Sequence, residues 1–428
     1  MKVGFSRVDI TPPLGAPVDG YFKDRSAKGI LDTLELNAIA LTDGENTVVM
    51  IAADMLGINT EEIPVIKRLM FDRLGLKEDQ IVLSALHQHT SFMFKHQVAH
   101  NLPKGYADVL YAKFCDVAQM AMDDMKEARI SAAEKLTEEP IGFVRRYKLK
   151  NGKVATNPGS SIMPDVVGRC NESDNTVRLI RFEREGAKDI ALVNFSTHPD
   201  VIGGELWSAD WPGFTRRFVE SDNPEVSCIF FTGAEGDSNH VDFLGTKNGG
   251  YEHSRHMGRV VANAVKAMWD SATPHEDGRL FSGLTSIFNK SNTSGEEKYE
   301  ECKEFNRARL AGELDYKPTI EQCAFARRVI NIRENMTIYR ELPIAVIGIG
   351  DIVIVGLGGE PFTDYGQSMR DAAKGKFAMT FCLTNGYQGY LPTAKAFEEG
   401  GYEAANSHFT PTLQAETVTA ATKLIDQI

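Results

Sequence analysis

Three histidines, one glutamate and a pair of tyrosines are the residues of this chain best suited to chemistry. His87 and His89 follow an apolar run over 81–86, as Leu86-His87-Gln88-His89. Strand alternation would put two such residues on one face and Gln88 on the other, making a usable pair of imidazoles. His198 follows the run 190–196, with Pro199 stiffening the turn behind it. Glu360 follows the run 352–357 in Gly358-Gly359-Glu360-Pro361, and Tyr387 and Tyr390 follow 377–383. Each feature alone is an ordinary polar strand end. Their shared placement points to one site, because α/β folds gather chemistry at strand ends. Imidazole nitrogen and carboxylate oxygen suit Zn²⁺, and other divalent ions accept the same donors. Phenolate is a rarer ligand, since phenol has a pKa of about 10, but a dication favours its deprotonated form.

The elements that must position these residues read as a mixed α/β arrangement. Runs at 36–41 and 47–53 flank Asp43-Gly44, a hairpin signal. Asn59-Thr60-Glu61-Glu62 opens a helix that closes at Gly75, and 106–128 has helical periodicity without Pro or Gly. Strands are expected at 190–196 and 226–231, with helices at 213–220 and 253–269 and two more within 296–334. A strand pair, 344–347 and 352–357, turns at Gly350-Asp351, and a last helix covers 413–425. No repeat of 20 to 50 residues and no linker divides the text, so residues 1–428 read as one catalytic domain of mixed sheets flanked by helices.

Composition narrows the partners. Lys+Arg number 47 against 59 Asp+Glu, and the net charge of −12 repels polyphosphates and anionic bilayers. Nucleic acid and membrane insertion are therefore not expected, and the absence of an export-type apolar segment at the start makes the cytoplasm the expected address. The six cysteines lack CxxC spacing and read as reduced core thiols. The stretches 91–96 and 145–148 mix apolar and cationic side chains as a pocket wall would.

Taken together, the motifs resemble the neutral (alkaline, non-lysosomal) ceramidases over their N-terminal catalytic domain. The matching strings are Ser6-Arg7-Val8-Asp9-Ile10-Thr11-Pro12-Pro13, Leu86-His87-Gln88-His89-Thr90 and Asn194-Phe195-Ser196-Thr197-His198-Pro199. They continue through Ser208-Ala209-Asp210-Trp211-Pro212-Gly213, Gly233-Ala234-Glu235-Gly236-Asp237, Gly359-Glu360-Pro361-Phe362-Thr363 and Asn385-Gly386-Tyr387-Gln388-Gly389-Tyr390, in the family's order. The resemblance implies one Zn²⁺ per chain held by His87, His198, Glu360 and Tyr390, with His89 facing the bound water or substrate. It implies that Arg145 touches the substrate carbonyl, although Val144 stands where the family has Asn. The family's Ser-Pro-Asn is Ser238-Asn239 here, without the Pro, and its immunoglobulin-like C-terminal domain is not expected in this chain.

The implied reaction is hydrolysis of a small amide or N-acyl substrate by metal-activated water. His89 would transfer protons, and Asp237 and Asp54 would orient the ligating imidazoles. Three alternatives stay open at this level. Gly236-Asp237-Ser238 resembles the block that opens a serine esterase, with Ser238 as nucleophile. A zinc ion that polarises a carbonyl also supports isomerisation or epimerisation of a sugar acid. A closed structural metal site in a binding protein is the third, and it sits poorly with a cysteine-free donor set.

Overall fold

The computed structural model describes residues 1–95, 102–103, 105–246, 248–275 and 278–428. The strands Glu35–Thr42 and Thr47–Ala53, turned at Asp43-Gly44, pair antiparallel and are buried on both faces. Such strands need packing layers on both sides. Ile39, Leu41, Val48 and Met50 face a central core, while Ala38, Ala40, Val49 and Ile51 face a second core that includes residues of helices Glu62–Leu74 and Tyr106–Asp123.

One run of elements occurs three times. Strands Lys2–Asp9, Glu35–Thr42 and Thr47–Ala53 form an antiparallel meander. Helix Glu62–Leu74 crosses over, Ile81–Ala85 lies parallel to the third strand, and helix Tyr106–Asp123 follows. Lys126–Leu136, Thr176–Arg184, Asp189–Phe195, helix Asp210–Asp222, Val226–Thr232 and helix Gly250–Met268 repeat both order and pairing. Leu280–Lys290, Tyr339–Ile349, Ile352–Leu357, helix Thr363–Ala372, Phe377–Phe381 and helix Leu413–Ile425 do so again. The first two units join where Lys2 and Val3 pair with Glu127 and Lys126, which makes one large sheet. The third unit forms a four-stranded sheet, and its Ile347, Ile352, Ile354 and Phe381 enter the central core.

The ends of the three parallel strands are stitched into a ring. Thr232 Oγ1 donates to Leu86 O at 2.9 Å, Cys382 N to Thr232 O at 3.0 Å, and Ala85 N to Leu383 O at 3.3 Å. The loops that leave these ends, and those that leave the neighbouring third strands, therefore meet at one place.

Two sequence expectations change. The helix expected over 106–128 stops at Asp123, and Lys126–Leu136 is a long strand. Asp124 ends the helix because its carboxylate is tied across the fold, accepting from Phe5 N at 2.9 Å and from Arg184 Nη1 at 2.6 Å. These tertiary bonds override a helical pattern that local text continues. The histidine pair is also placed differently: its strand ends at Ala85, and His87–His89 is a loop. No helix among the described residues is long and apolar enough to cross a membrane. All six cysteines are free, as their spacing implies.

Candidate metal centre

His87 has a left-handed backbone, with φ of 74°. That conformation costs a non-glycine residue about 1–3 kcal/mol and persists where surrounding bonds dictate it. Here His87 N donates to Met55 O at 2.9 Å and His89 N to Pro199 O at 3.1 Å. The turn, rather than strand alternation, brings the two rings together, with centroids 4.9 Å apart.

The ring nitrogens have distinct partners. His87 Nδ1 lies 2.7 Å from Leu56 O, and His198 Nδ1 lies 2.9 Å from Glu235 O and 3.0 Å from Ser238 O. A carbonyl only accepts, so both Nδ1 atoms carry hydrogen, and each ring in its neutral form presents an Nε2 lone pair. Glu360 Oε2 stands 3.2 Å from His198 Nε2 and 3.5 Å from His87 Nε2, without a hydrogen bond of proper geometry. Three buried acceptors converge here, and the Arg145 guanidinium, 3.4 Å from His198 Nε2, meets only one of the two imidazoles. The donor set fits a zinc-class dication.

Glu360 and Tyr390 are fixed to each other. They pair in parallel register, with Glu360 N donating to Gly389 O at 2.9 Å, and a Cβ on Gly359 would meet Gly389 O at 2.6 Å. Only glycine allows that approach. The Tyr390 ring stacks on His198 at 6.4 Å, and Tyr387 stacks on His87 at 6.2 Å. Arg145 lies 5.2 Å from the centre of the Tyr390 ring. Its Nε donates to Glu403 at 2.8 Å and its Nη2 to Gly236 O at 2.8 Å, while Nη1 sits 3.4 Å from His198 Nε2.

Charge follows this geometry. Burial raises the Glu360 carboxyl, but His87, His198 and Arg145 outweigh it and hold the group at about 2. Burial lowers His87, and it lowers His89 well below the ordinary imidazole value. Burial and Arg145 also press His198 down, yet Glu235 and Glu360 bring its net shift upward. Burial pushes the Tyr390 phenol far up, with Arg145 opposing.

The ligating atoms of His87, His89 and His198 all lie within 4.8 Å of one another. His89 differs from the other two because neither of its buried ring nitrogens has a hydrogen-bond partner among the described residues. Orientation of the imidazoles falls to the carbonyls of Leu56, Glu235 and Ser238, not to Asp54 and Asp237 as expected from sequence. Asp237 instead accepts from Thr363 N at 2.8 Å and Asn171 at 3.0 Å, and Asp54 accepts from Arg216 at 2.6 Å and Gln88 at 2.7 Å. The Ser238 hydroxyl meets Ser173 Oγ at 2.6 Å and Thr197 Oγ1 at 3.0 Å. Among the described residues it has no histidine partner, so the geometry gives no base for a serine nucleophile.

A pocket of about 180 Å³ opens onto the centre, and His87, His89, Tyr387, Tyr390, Lys95 and Arg327 are part of its lining. Of the stretch 91–96, Met93 and Lys95 reach the lining, and His96 lies outside the described residues. In the stretch 145–148, Arg145 lies at the centre, and Arg146 is spent on Glu399 and Gly400 O. Glu235, Glu403 and Arg327 were not legible as site residues. Glu235 stands in the loop Gly233–Asp237, beside the residue that the sequence favoured. Glu403 and Arg327 act from helices with no motif.

No protein-family model and no curated protein matches the chain. Among solved structures, the neutral ceramidase from Pseudomonas aeruginosa matches over 99% of this chain and 74% of that one, with a TM-score of 0.73 and 15% identity. A ceramidase complexed with C2 matches with the same values. The three-unit chain that assembles this centre thus has the neutral ceramidase fold, kept at a sequence identity of 15%.

Proposed function

We propose that the protein is a zinc-dependent amidase that hydrolyses a small N-acyl or other amide substrate. The observation that carries this reading is the convergence of His87 Nε2 and His198 Nε2 on Glu360 Oε2, 3.5 Å and 3.2 Å away, beside a pocket that His87, His89 and Tyr390 line. Zinc held by these residues and Tyr390 would supply Lewis acidity, activating water and polarising the scissile carbonyl. A neutral ceramidase fold favours an amide as the bond.

The chain's own residues do the rest. Leu56, Glu235 and Ser238 carbonyls hold the two imidazoles with Nε2 inward. His89, kept neutral by burial and free at both nitrogens, accepts the water's proton and returns it to the departing amine nitrogen. Arg145 is anchored by Glu403 and Gly236, and its Nη1, 3.4 Å from His198 Nε2, would hold the carbonyl oxygen as it gains charge once that nitrogen is given to the metal. Arg145 also compensates a Tyr390 phenolate beside it.

The test is a screen of short N-acyl amides with zinc-loaded protein in ¹⁸O water, with and without chelator. Chelator-sensitive amine release with one ¹⁸O in the acid is expected. Turnover without solvent oxygen in a cleaved acid would replace hydrolysis by isomerisation, and no turnover of any amide would refute the reading.

A further inference from the structure

In each unit the connection between the first and second strands passes over the centre. The first connection brings Tyr21 to the pocket and the second brings Arg145 to the centre. The third, residues 291–338, contains helix Ile320–Asn335 and brings Arg327. Arg327 is fixed by Nη2 donating to Asn406 Oδ1 at 3.1 Å and by the Phe22 ring, 4.9 Å from its guanidinium carbon. Among the described residues it has no carboxylate partner, which leaves its other guanidinium donors for a ligand.

Arg25, Arg309, Arg328 and Arg340 also lack a carboxylate partner among the described residues, and Arg327 is set apart from Arg309, Arg328 and Arg340 by lining the pocket. The chain as a whole is acidic, with 59 acidic residues against 47 basic ones. Yet the pocket lining holds Arg327 and Lys95 against Asp19 alone, and the Asp19 carboxylate already accepts from Met93 N at 2.8 Å. A cavity of about 150 Å³ takes one benzene, so the pocket, at about 180 Å³, has room for a short acyl amide.

We propose that the substrate is a small amide carrying a carboxylate, in the manner of an N-acyl amino acid, and that Arg327, aided by Lys95, binds that carboxylate. The identity of the cleaved bond rests on the amidase reading; the anion site does not. Guanidinium and carboxylate match as planar partners, and charge-assisted bonds of this kind are among the stronger ones.

The test is calorimetric titration of the metal-stripped protein with N-butyrylglycine and with its neutral isostere N-butyrylglycinamide. The acid should bind at least about tenfold more tightly than the amide. Arg327→Gln, an exposed position, should bring the ratio close to one, and Lys95→Gln should reduce it. Equal affinities in the unaltered protein, no binding of either compound, or a preference that survives Arg327→Gln would overturn the proposal. Tighter binding of N-butyrylaminomethylphosphonate would overturn the carboxylate in favour of a phosphate-like group. If the preference holds while zinc-loaded protein cleaves no amide, the anion site stands and the amidase reading falls.

Discussion

Glu235 offers a prediction whose sign and size follow from its surroundings. Its side chain is fully buried, Oε2 has no hydrogen-bond partner, and the Cys382 thiol donates to Oε1 at 3.4 Å. Burial raises its carboxyl from 4.5 to about 8, even with His198 pulling the other way. The folded protein therefore binds this proton more tightly than the unfolded chain does. That contribution to stability is fully present below 4.5 and is lost as pH rises through about 8. The difference, 8 minus 4.5, at about 1.36 kcal/mol per unit sets a ceiling of about 5 kcal/mol. Glu235→Gln imitates the protonated acid and keeps the oxygen that accepts from Cys382. In chelator, urea denaturation at pH 5, 7 and 9 should find the two proteins similar at pH 5. The variant should be more stable at pH 9 by a few kcal/mol, within that ceiling. Other raised carboxyls, such as Asp210 at about 6, are common to both proteins and cancel in the difference. Parallel stability curves would refute the reasoning. Zinc should shrink the difference, because a dication nearby favours the carboxylate.

The remaining substitutions separate the roles around the centre. His89→Ala should keep its zinc and lose about 10²–10⁴ in kcat, the usual worth of a general acid or base; loss of zinc as well would make His89 a ligand. Ser238→Ala should remain active to within roughly an order of magnitude, whereas loss of a nucleophile costs about 10⁴ or more; kinetics with intact metal content decides it. Arg145→Ala breaks a buried pair with Glu403 and should destabilise the protein by about 3–5 kcal/mol in denaturation. An unchanged midpoint would show that Arg146, 3.6 Å from Glu403, is enough.

The local elements were largely legible because most of them are periodic over enough residues. The hairpin at Asp43-Gly44, the helix closed by Gly75 and the last helix from Leu413 all fall where the text places them. That His87, His198 and Glu360 come together was legible for a similar reason, since polar residues at the ends of apolar runs stand out. What supports them was not. Imidazole orientation comes from main-chain carbonyls, which no side-chain pattern encodes, and Glu403 reaches Arg145 across 258 positions. The threefold repetition is also invisible locally. It is a repeat of strand order and pairing, and its connections differ so much that no text repeats with it. The strand Lys126–Leu136 went unseen because residues such as Glu127, Arg129 and Glu134 give it a half-polar pattern, and its start is written in helix-forming residues.

Bound metal per chain, measured by mass spectrometry on purified protein after zinc loading and desalting, tests the central claim most directly. The unaltered protein should hold about one zinc ion per chain, and His87→Ala and His198→Ala should each lose it while remaining folded by circular dichroism. A protein that takes up no stoichiometric divalent ion, or variants that keep it, would contradict a metal centre built on those two imidazoles.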